Sequence, residues 1–149
     1  MKKILLFSAL FLTIGLSSLF AQSNKENSYL QASFKEHFTD AKDINWKQTK
    51  DFTEATFTIG NKQLSIFYNQ DNRPFAASRN ITSDQLPLAL LGDIKRNYKD
   101  YWITNLLELS IDGHSEYYMT LKNAEGEKTM KSGDSGQWIS YDPTQATAF

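Results

Sequence analysis

The sequence has 149 residues, with 16 Lys and Arg, 17 Asp and Glu, no Cys and a formal net charge of −1. A chain of this length builds one domain, and its 40% hydrophobic content is enough to form a core. The absence of Cys excludes disulfides, thiolate nucleophiles and Cys-based zinc sites. Because the charge is balanced and no basic stripe is present, we expect no nucleic-acid partner.

The N-terminus has the pattern of a secretory signal peptide. Two lysines precede the apolar stretch 4–20, and Ala21 offers a small residue for cleavage. Ser, Thr and Gly dilute this stretch, which argues against an uncleaved membrane anchor. We therefore expect a signal peptide over residues 1–21 and a periplasmic or secreted mature protein that begins near Gln22, with no stable membrane anchor after cleavage.

The first half of the mature chain predicts one helix and four extended segments. After a polar leader (22–28), helical spacing predicts a helix over about residues 28–40, with the apolar positions Leu30, Phe34, Phe38 and Ala41. An extended segment follows at 43–50. Alternation then predicts a hairpin around Gly60-Asn61, with the inward rows Ala55, Phe57, Ile59 and Leu64, Ile66, Tyr68. Another strand is expected over Pro74–Ile81, near a sheet edge.

The second half repeats this order. A helix is predicted over residues 84–98, with Leu90, Leu91, Ile94 and Tyr98 on its apolar face. A strand over 102–111 and the next strand meet at an Asp112-Gly113 turn. Their expected inward rows are Leu107, Leu109, Ile111 and Tyr117, Met119, Leu121. Two last strands are expected at 127–132 and 137–141.

The two halves resemble each other. The segments 53–59 and 115–121 match in pattern, which indicates a duplicated unit of one helix and antiparallel strands. We therefore predict an α+β fold: one domain over residues 29–142, built of two repeats (about 29–81 and 82–142) and followed by a short tail, 143–149. Both helices are expected on one face of a curved antiparallel sheet.

Several short motifs are similar to those of a known family. They are Ile44-Asn45-Trp46 after the first helix, the run Phe67-Tyr68-Asn69-Gln70-Asp71-Asn72, Leu86-Pro87 before the second helix, and the segment Tyr98 to Trp102. In this order they resemble the exported bacterial PepSY-like proteins, also described as β-lactamase-inhibitor-like. The resemblance implies a tandem-repeat fold and protein binding through the sheet face without helices. No inhibitory residue of that family can be placed on a position of this sequence.

Candidate catalytic motifs have simpler interpretations. The segment Gly133-Asp134-Ser135-Gly136 matches the nucleophile motif of chymotrypsin-like proteases, but it is also ordinary turn chemistry. His37 and His114 lack metal-ligand spacing, and the alternate spacing of Asn69, Asp71 and Arg73 places a cation where a calcium loop needs an oxygen. We therefore predict no catalytic residue, no metal and no cofactor.

Outward-pointing strand residues provide the remaining signals. Glu54 and Glu116 occupy equivalent places in the repeats, where a glycosidase could use two carboxylates, but solvated strand residues are the simpler interpretation. Phe67 and Tyr118 also point away from the predicted core. Trp138 and Tyr141 lie on opposite faces of the last strand, so one of them points outward. The candidate protein-binding face is therefore Phe67, Tyr118, Trp138 and Tyr141, unless these rings pack against one another.

Two functions are compatible with the sequence. The first is a non-enzymatic, exported protein-binding or inhibitor-like protein of the bacterial envelope, with another envelope or secreted protein as its partner. The alternative is a small-ligand-binding protein or enzyme with a cystatin-like or NTF2-like α+β pocket. The alternative requires Asp, Glu or His side chains that meet inside a cavity, whereas the first is indicated by an aromatic surface without such a cluster. If the outward rings are exposed, truncating Phe67 or Tyr118 should cost little stability.

Overall fold

A computed structural model describes residues 26–142, which form an α+β domain with one eight-stranded antiparallel sheet and two α-helices. The predicted signal peptide 1–21, most of the leader 22–28 and the tail 143–149 lie outside these residues. In chain order the elements are α1 (Glu26–His37), β1 (Lys42–Gln48), β2 (Thr53–Ile59), β3 (Lys62–Tyr68), β4 (Pro74–Asn80), a 3-10 turn (Ser83–Gln85), α2 (Leu88–Asn97), β5 (Trp102–Ile111), β6 (His114–Asn123), β7 (Gly126–Ser132) and β8 (Trp138–Ser140). Each strand pairs with the next, so the sheet is a meander.

The turns follow the predicted chemistry. Asp112 and Gly113 adopt φ angles of +50° and +82°, as a two-residue hairpin turn requires. Gly60, at the turn between β2 and β3, has φ of +60°. The first helix ends earlier than its apolar spacing predicted, because the backbone N–H of Ala41 bonds the carbonyl of Phe38 and turns the chain towards β1.

Each helix packs on a different part of the sheet. Leu30 and Phe34 of α1 form one buried cluster with Ala55, Phe57 and Tyr68. The cluster of α2 contains its own Leu90 and strand residues from the second half of the chain, namely Leu106, Met119, Leu121, Met130 and Trp138. The predicted core positions of β2, β3 and β6 are therefore confirmed at Phe57, Tyr68 and Met119.

The inward row predicted for β5 is wrong. Leu107, Leu109 and Ile111 do not pack with either helix, and they belong to a third cluster with Phe67 and Tyr118. The β5–β6 register shifts between Ile103 and Asn105, and Leu106 takes the position in the α2 cluster. The strand is buried on both sides, so its apolar residues do not reveal by alternation which side faces a helix.

Candidate binding face

The third cluster defines one face of the sheet, which we call the Phe67 face. Among residues 26–142, neither helix contributes a side chain to its buried members, which are Phe52, Phe67, Ala76, Leu107, Leu109 and Tyr118. Directly paired residues point to the same side of a sheet. The pairs Glu54 with Phe67, Phe67 with Ala76, and Ala76 with Ile111 share one side, and Leu107, which alternates with Ile111 to that side, pairs with Tyr118.

The structure brings three of the four predicted aromatic residues together. Phe67 and Tyr118 lie in the cluster of this face, and the ring of Tyr141 contacts that of Tyr118 edge-on, with a centroid distance of 5.2 Å. Trp138 lies elsewhere, because its indole N–H donates to the Leu90 carbonyl at 3.1 Å within the α2 cluster. Trp138 and Tyr141 thus join different clusters, as their alternation indicated.

The expectation that the outward rings are exposed is wrong. Phe67 is 5% exposed and Tyr118 is 1% exposed. The ring of Phe52 packs against Phe67 at a centroid distance of 5.7 Å, and Phe75 lies at 6.5 Å on the same ring. The central strands thus bury side chains on their outward side as well as on their inward side, a feature that a search for one buried face per strand misses.

A polar network lies beside the Tyr118 ring. Its hydroxyl donates to Glu116 Oε2 at 2.9 Å, and Lys131 Nζ lies 3.1 Å from Glu116 Oε1. The Lys131 ammonium also lies 5.6 Å from the centre of the Tyr118 ring. Burial, and secondly the charge of Glu116, raises the pKa of Tyr118 above its ordinary value. The phenol therefore remains a hydrogen-bond donor at neutral pH.

Buried polar side chains share the face with these rings. Glu54, Ser65, Ser78 and Thr120 are all buried. Thr56 Oγ1 donates to Glu54 Oε1 at 3.2 Å and lies 3.0 Å from Ser65 Oγ. The interpretation of Glu54 as a solvated strand residue is wrong, because the residue is 5% exposed. Its position beside Phe67 in the hairpin register is the sequence signal that could have revealed this.

Glu54 and Glu116 do not form a catalytic pair. They belong to β2 and β6, with three strands between them, so about 19 Å of sheet separates them at about 4.8 Å per strand. Glycosidase carboxylates lie within about 10 Å of each other. Each glutamate therefore has a separate local role.

A second polar cluster, centred on Glu108, lies outside the Phe67 face. Arg79 Nε is 2.6 Å from Glu108 Oε2, and the hydroxyls of Ser115 and Tyr117 donate to Oε1 at 2.9 and 3.3 Å. Burial alone raises the pKa of Glu108, but the hydrogen bonds from Arg79 and Ser115, together with the Arg79 charge, outweigh burial and lower it. This cross-strand pair joins β4 to β5.

The residues considered for catalysis remain apart. His37 is exposed, and its Nδ1 lies 2.8 Å from the Ser33 carbonyl of its own helix. Ser135 is exposed in the β7–β8 turn and His114 is exposed at the start of β6, and no hydrogen bond joins them within the described chain. Among residues 26–142, no group of three His, Asp or Glu side chains is placed to hold a metal ion.

The Asn69 to Arg73 segment is a turn. The Asn69 side-chain oxygen accepts the backbone N–H groups of Asp71 and Arg73 at 3.0 and 2.9 Å. This is the local bonding of an Asx turn. The amide oxygen is therefore used within the loop.

Two cavities bear on the small-ligand alternative. One, of about 470 Å³, lies among the loops that join β1 to β2 and β3 to β4. The other, of about 530 Å³, lies between the start of α2 and the β7–β8 turn, and Glu116, Lys131 and Asp134 are among its lining residues. Neither lining contains His37 or His114. A pocket function thus stays a prediction.

Comparison with solved structures finds a similar fold in several proteins of Bacteroides. A candidate periplasmic protein from Bacteroides eggerthii is similar with a TM-score of 0.65 and 14% identity, over 80% of this chain and 96% of that one. A DUF2874 family protein from Bacteroides ovatus has a TM-score of 0.64 and 13% identity, over 86% and 99%. A BLIP-like protein from Bacteroides fragilis has a TM-score of 0.57 and 14% identity, over 84% and 86%.

These likenesses establish the fold. No protein-family model and no curated protein matches the sequence. At 13% to 14% identity the similarity lies in the architecture rather than in site residues. The part of the chain that the structure describes contains no helix long and apolar enough to cross a membrane.

Proposed function

We propose that this chain is an exported, non-enzymatic protein that binds another envelope or secreted protein through its Phe67 face. The observation that supports this best is the face itself: an aromatic and hydroxyl-rich sheet surface to which neither described helix contributes. Sheet faces of this kind contain the aromatic anchors that protein interfaces favour. Phe67 and Tyr118 are already buried in the isolated chain, so a partner would contact the polar and exposed side chains around these rings.

The sheet register supports two helices on the opposite face. One row of paired residues runs from Phe57 through Leu64, Arg79 and Glu108 to Tyr117. Phe57 belongs to the α1 cluster and Tyr117 packs against the α2 cluster. The two repeats, about 29–81 and 82–142, would then each place one helix on this side and leave the Phe67 face to a partner.

Export and inhibitor-like binding are supported by the neighbours and by the N-terminal pattern. The predicted signal peptide over 1–21 agrees with the candidate periplasmic neighbour, and the β-lactamase-inhibitor-like resemblance of the sequence agrees with the BLIP-like neighbour. The target of this chain is a separate question, because fold alone does not specify a partner.

Site-specific photo-crosslinking in the native envelope tests the proposal. A photoreactive amino acid at Gln63, which is exposed and points to the Phe67 side by register, should yield a discrete crosslinked protein. The matched control is Ala77, which is also exposed but points to the opposite side. Equal crosslinking from Ala77, or no crosslink from Gln63 while the protein is folded and exported, would contradict binding through this face.

A further inference from the structure

Glu54 is a buried carboxylate without a cation. It is 5% exposed and lies directly across the β2–β3 pair from Phe67. Its Oε1 accepts one hydrogen bond, from Thr56 at 3.2 Å. Within residues 26–142, no ion pair and no second hydrogen bond reaches this carboxylate. Glu54 is therefore a carboxylate of the Phe67 face that has no ion-pair partner among the described residues.

The other glutamate of the face is satisfied. Glu116 has Lys131 at 3.1 Å and the Tyr118 hydroxyl at 2.9 Å. Lys47 lies opposite Glu54 in the β1–β2 register, but it is exposed and forms no ion pair with it in the described chain. An ionised carboxylate accepts about four hydrogen bonds, and its burial is unfavourable without a charge partner. Within the described chain, Thr56 supplies one neutral hydrogen bond towards this requirement.

Building on the proposed function, we infer that the protein partner inserts a basic side chain, Lys or Arg, against Glu54. A partner that covers the face removes the remaining water from this carboxylate, so it must supply a charged donor in exchange. The surroundings are apolar, because Glu54 pairs with Phe67 across β2 and β3 and the Phe67 ring packs edge-on against Phe52. The partner's contact segment is therefore basic at this point and apolar around it.

A pair of blocked heptapeptides tests this inference on the purified protein. One is Val-Thr-Val-Arg-Val-Thr-Val, and the other carries citrulline, the neutral isostere, in place of arginine. Amide resonances of Glu54, Ser65 and Phe67 report binding by NMR titration. The arginine peptide should bind about tenfold more tightly than the citrulline peptide, which is the range of one charge-assisted hydrogen bond.

The substitution Glu54→Gln should abolish this discrimination. Glu125→Gln is the matched control, because it removes the same charge from an exposed turn, and it should preserve the discrimination. Should Glu54→Gln fail to fold, a third peptide with glutamate at the central position should bind the unaltered protein no better than the citrulline peptide. Tighter binding of the glutamate peptide would overturn the inference.

Failure of this inference differs measurably from failure of the proposed function. If both peptides shift the resonances of the Phe67 face equally, the face binds peptides but Glu54 does not select a cation. If neither peptide shifts any resonance of the face at millimolar concentration, both proposals are overturned. A double-mutant cycle with Lys47→Met and Glu54→Gln adds a further check, because strong coupling of unfolding free energies would identify Lys47 as the counter-ion and overturn the inference.

Discussion

The carboxylate of Asp93 in α2 accepts the backbone N–H of Trp138 in β8, with a distance of 2.9 Å from Oδ2. Asp93 is 6% exposed although it lies within a helix, and its Oδ1 accepts a hydrogen bond from Asn97 at 2.6 Å. The same strand residue donates its indole N–H to the carbonyl of Leu90, one helical turn earlier. A strand of only three residues is thus held to α2 by two hydrogen bonds from one residue.

Replacing Asp93 should detach this strand. Asp93→Ala leaves the buried N–H of Trp138 without its acceptor, so the free energy of unfolding should fall by about 1–3 kcal/mol. Urea unfolding measures the loss, and amide exchange should show faster exchange at Trp138. Asp134→Ala, in the exposed β7–β8 turn, is the control and should change stability by less than about 0.5 kcal/mol. Equal effects of the two substitutions would contradict the anchoring role.

The Glu108 cluster predicts a pH dependence of stability. A carboxyl whose pKa is lowered by folding stabilises the protein above its ordinary pKa, and this contribution is lost as the pH falls through the lowered value. The parent should therefore be more stable than Glu108→Gln at neutral pH, and the difference should narrow below the ordinary carboxyl pKa of 4.5. Unfolding curves of both proteins at several pH values measure this difference in the free energy of unfolding. A difference that widens on acidification would show that Arg79 does not stabilise the ionised carboxylate.

The strands could be predicted from local patterns because their turns carry specific signals. Asp112-Gly113 and Gly60-Asn61 fix two hairpins through backbone conformations that few residues adopt. The burial of β5 could not be predicted in the same way. Leu106 and Leu107 are adjacent and both buried, so alternation does not say which of them faces α2. The answer depends on the register shift near Ile103, which is a property of the pair of strands.

The candidate site could be predicted only in part, because strand alternation indicates the side on which a residue lies but not whether it is buried. The pairing of Phe67 with its neighbours on the side away from Phe57 follows from strand alternation. Its burial does not, since burial depends on what the rest of the sheet brings to that face. Glu54 shows the limit most clearly: a glutamate on a strand is solvated by default, and only the hairpin register places it beside an aromatic ring.

The absence of catalysis is a testable part of the proposal. Ser135→Ala and His114→Ala should leave binding and overall stability unchanged, because both residues are exposed and no hydrogen bond joins them in the described chain. Hydrolysis of peptide, ester and glycoside substrates by the parent and both variants is the measurement. Loss of a hydrolytic activity in either folded variant would show that the protein is an enzyme.

The burial of the Phe67 face can be measured against that of the α1 cluster. Phe57 is 1% exposed and Phe67 is 5% exposed, so each substitution to Ala should lower the free energy of unfolding by about 3–5 kcal/mol. Leu88→Ala, at a position that is 84% exposed, is the control and should cost less than about 0.5 kcal/mol. Urea unfolding of the purified protein, without a partner, compares the three variants. If Phe67→Ala costs no more than the control, the ring of Phe67 is not packed in the isolated protein, which would contradict the burial of this face. A large loss instead shows that the aromatic cluster contributes to the stability of the fold itself, and a partner then contacts the polar side chains around it rather than the ring of Phe67.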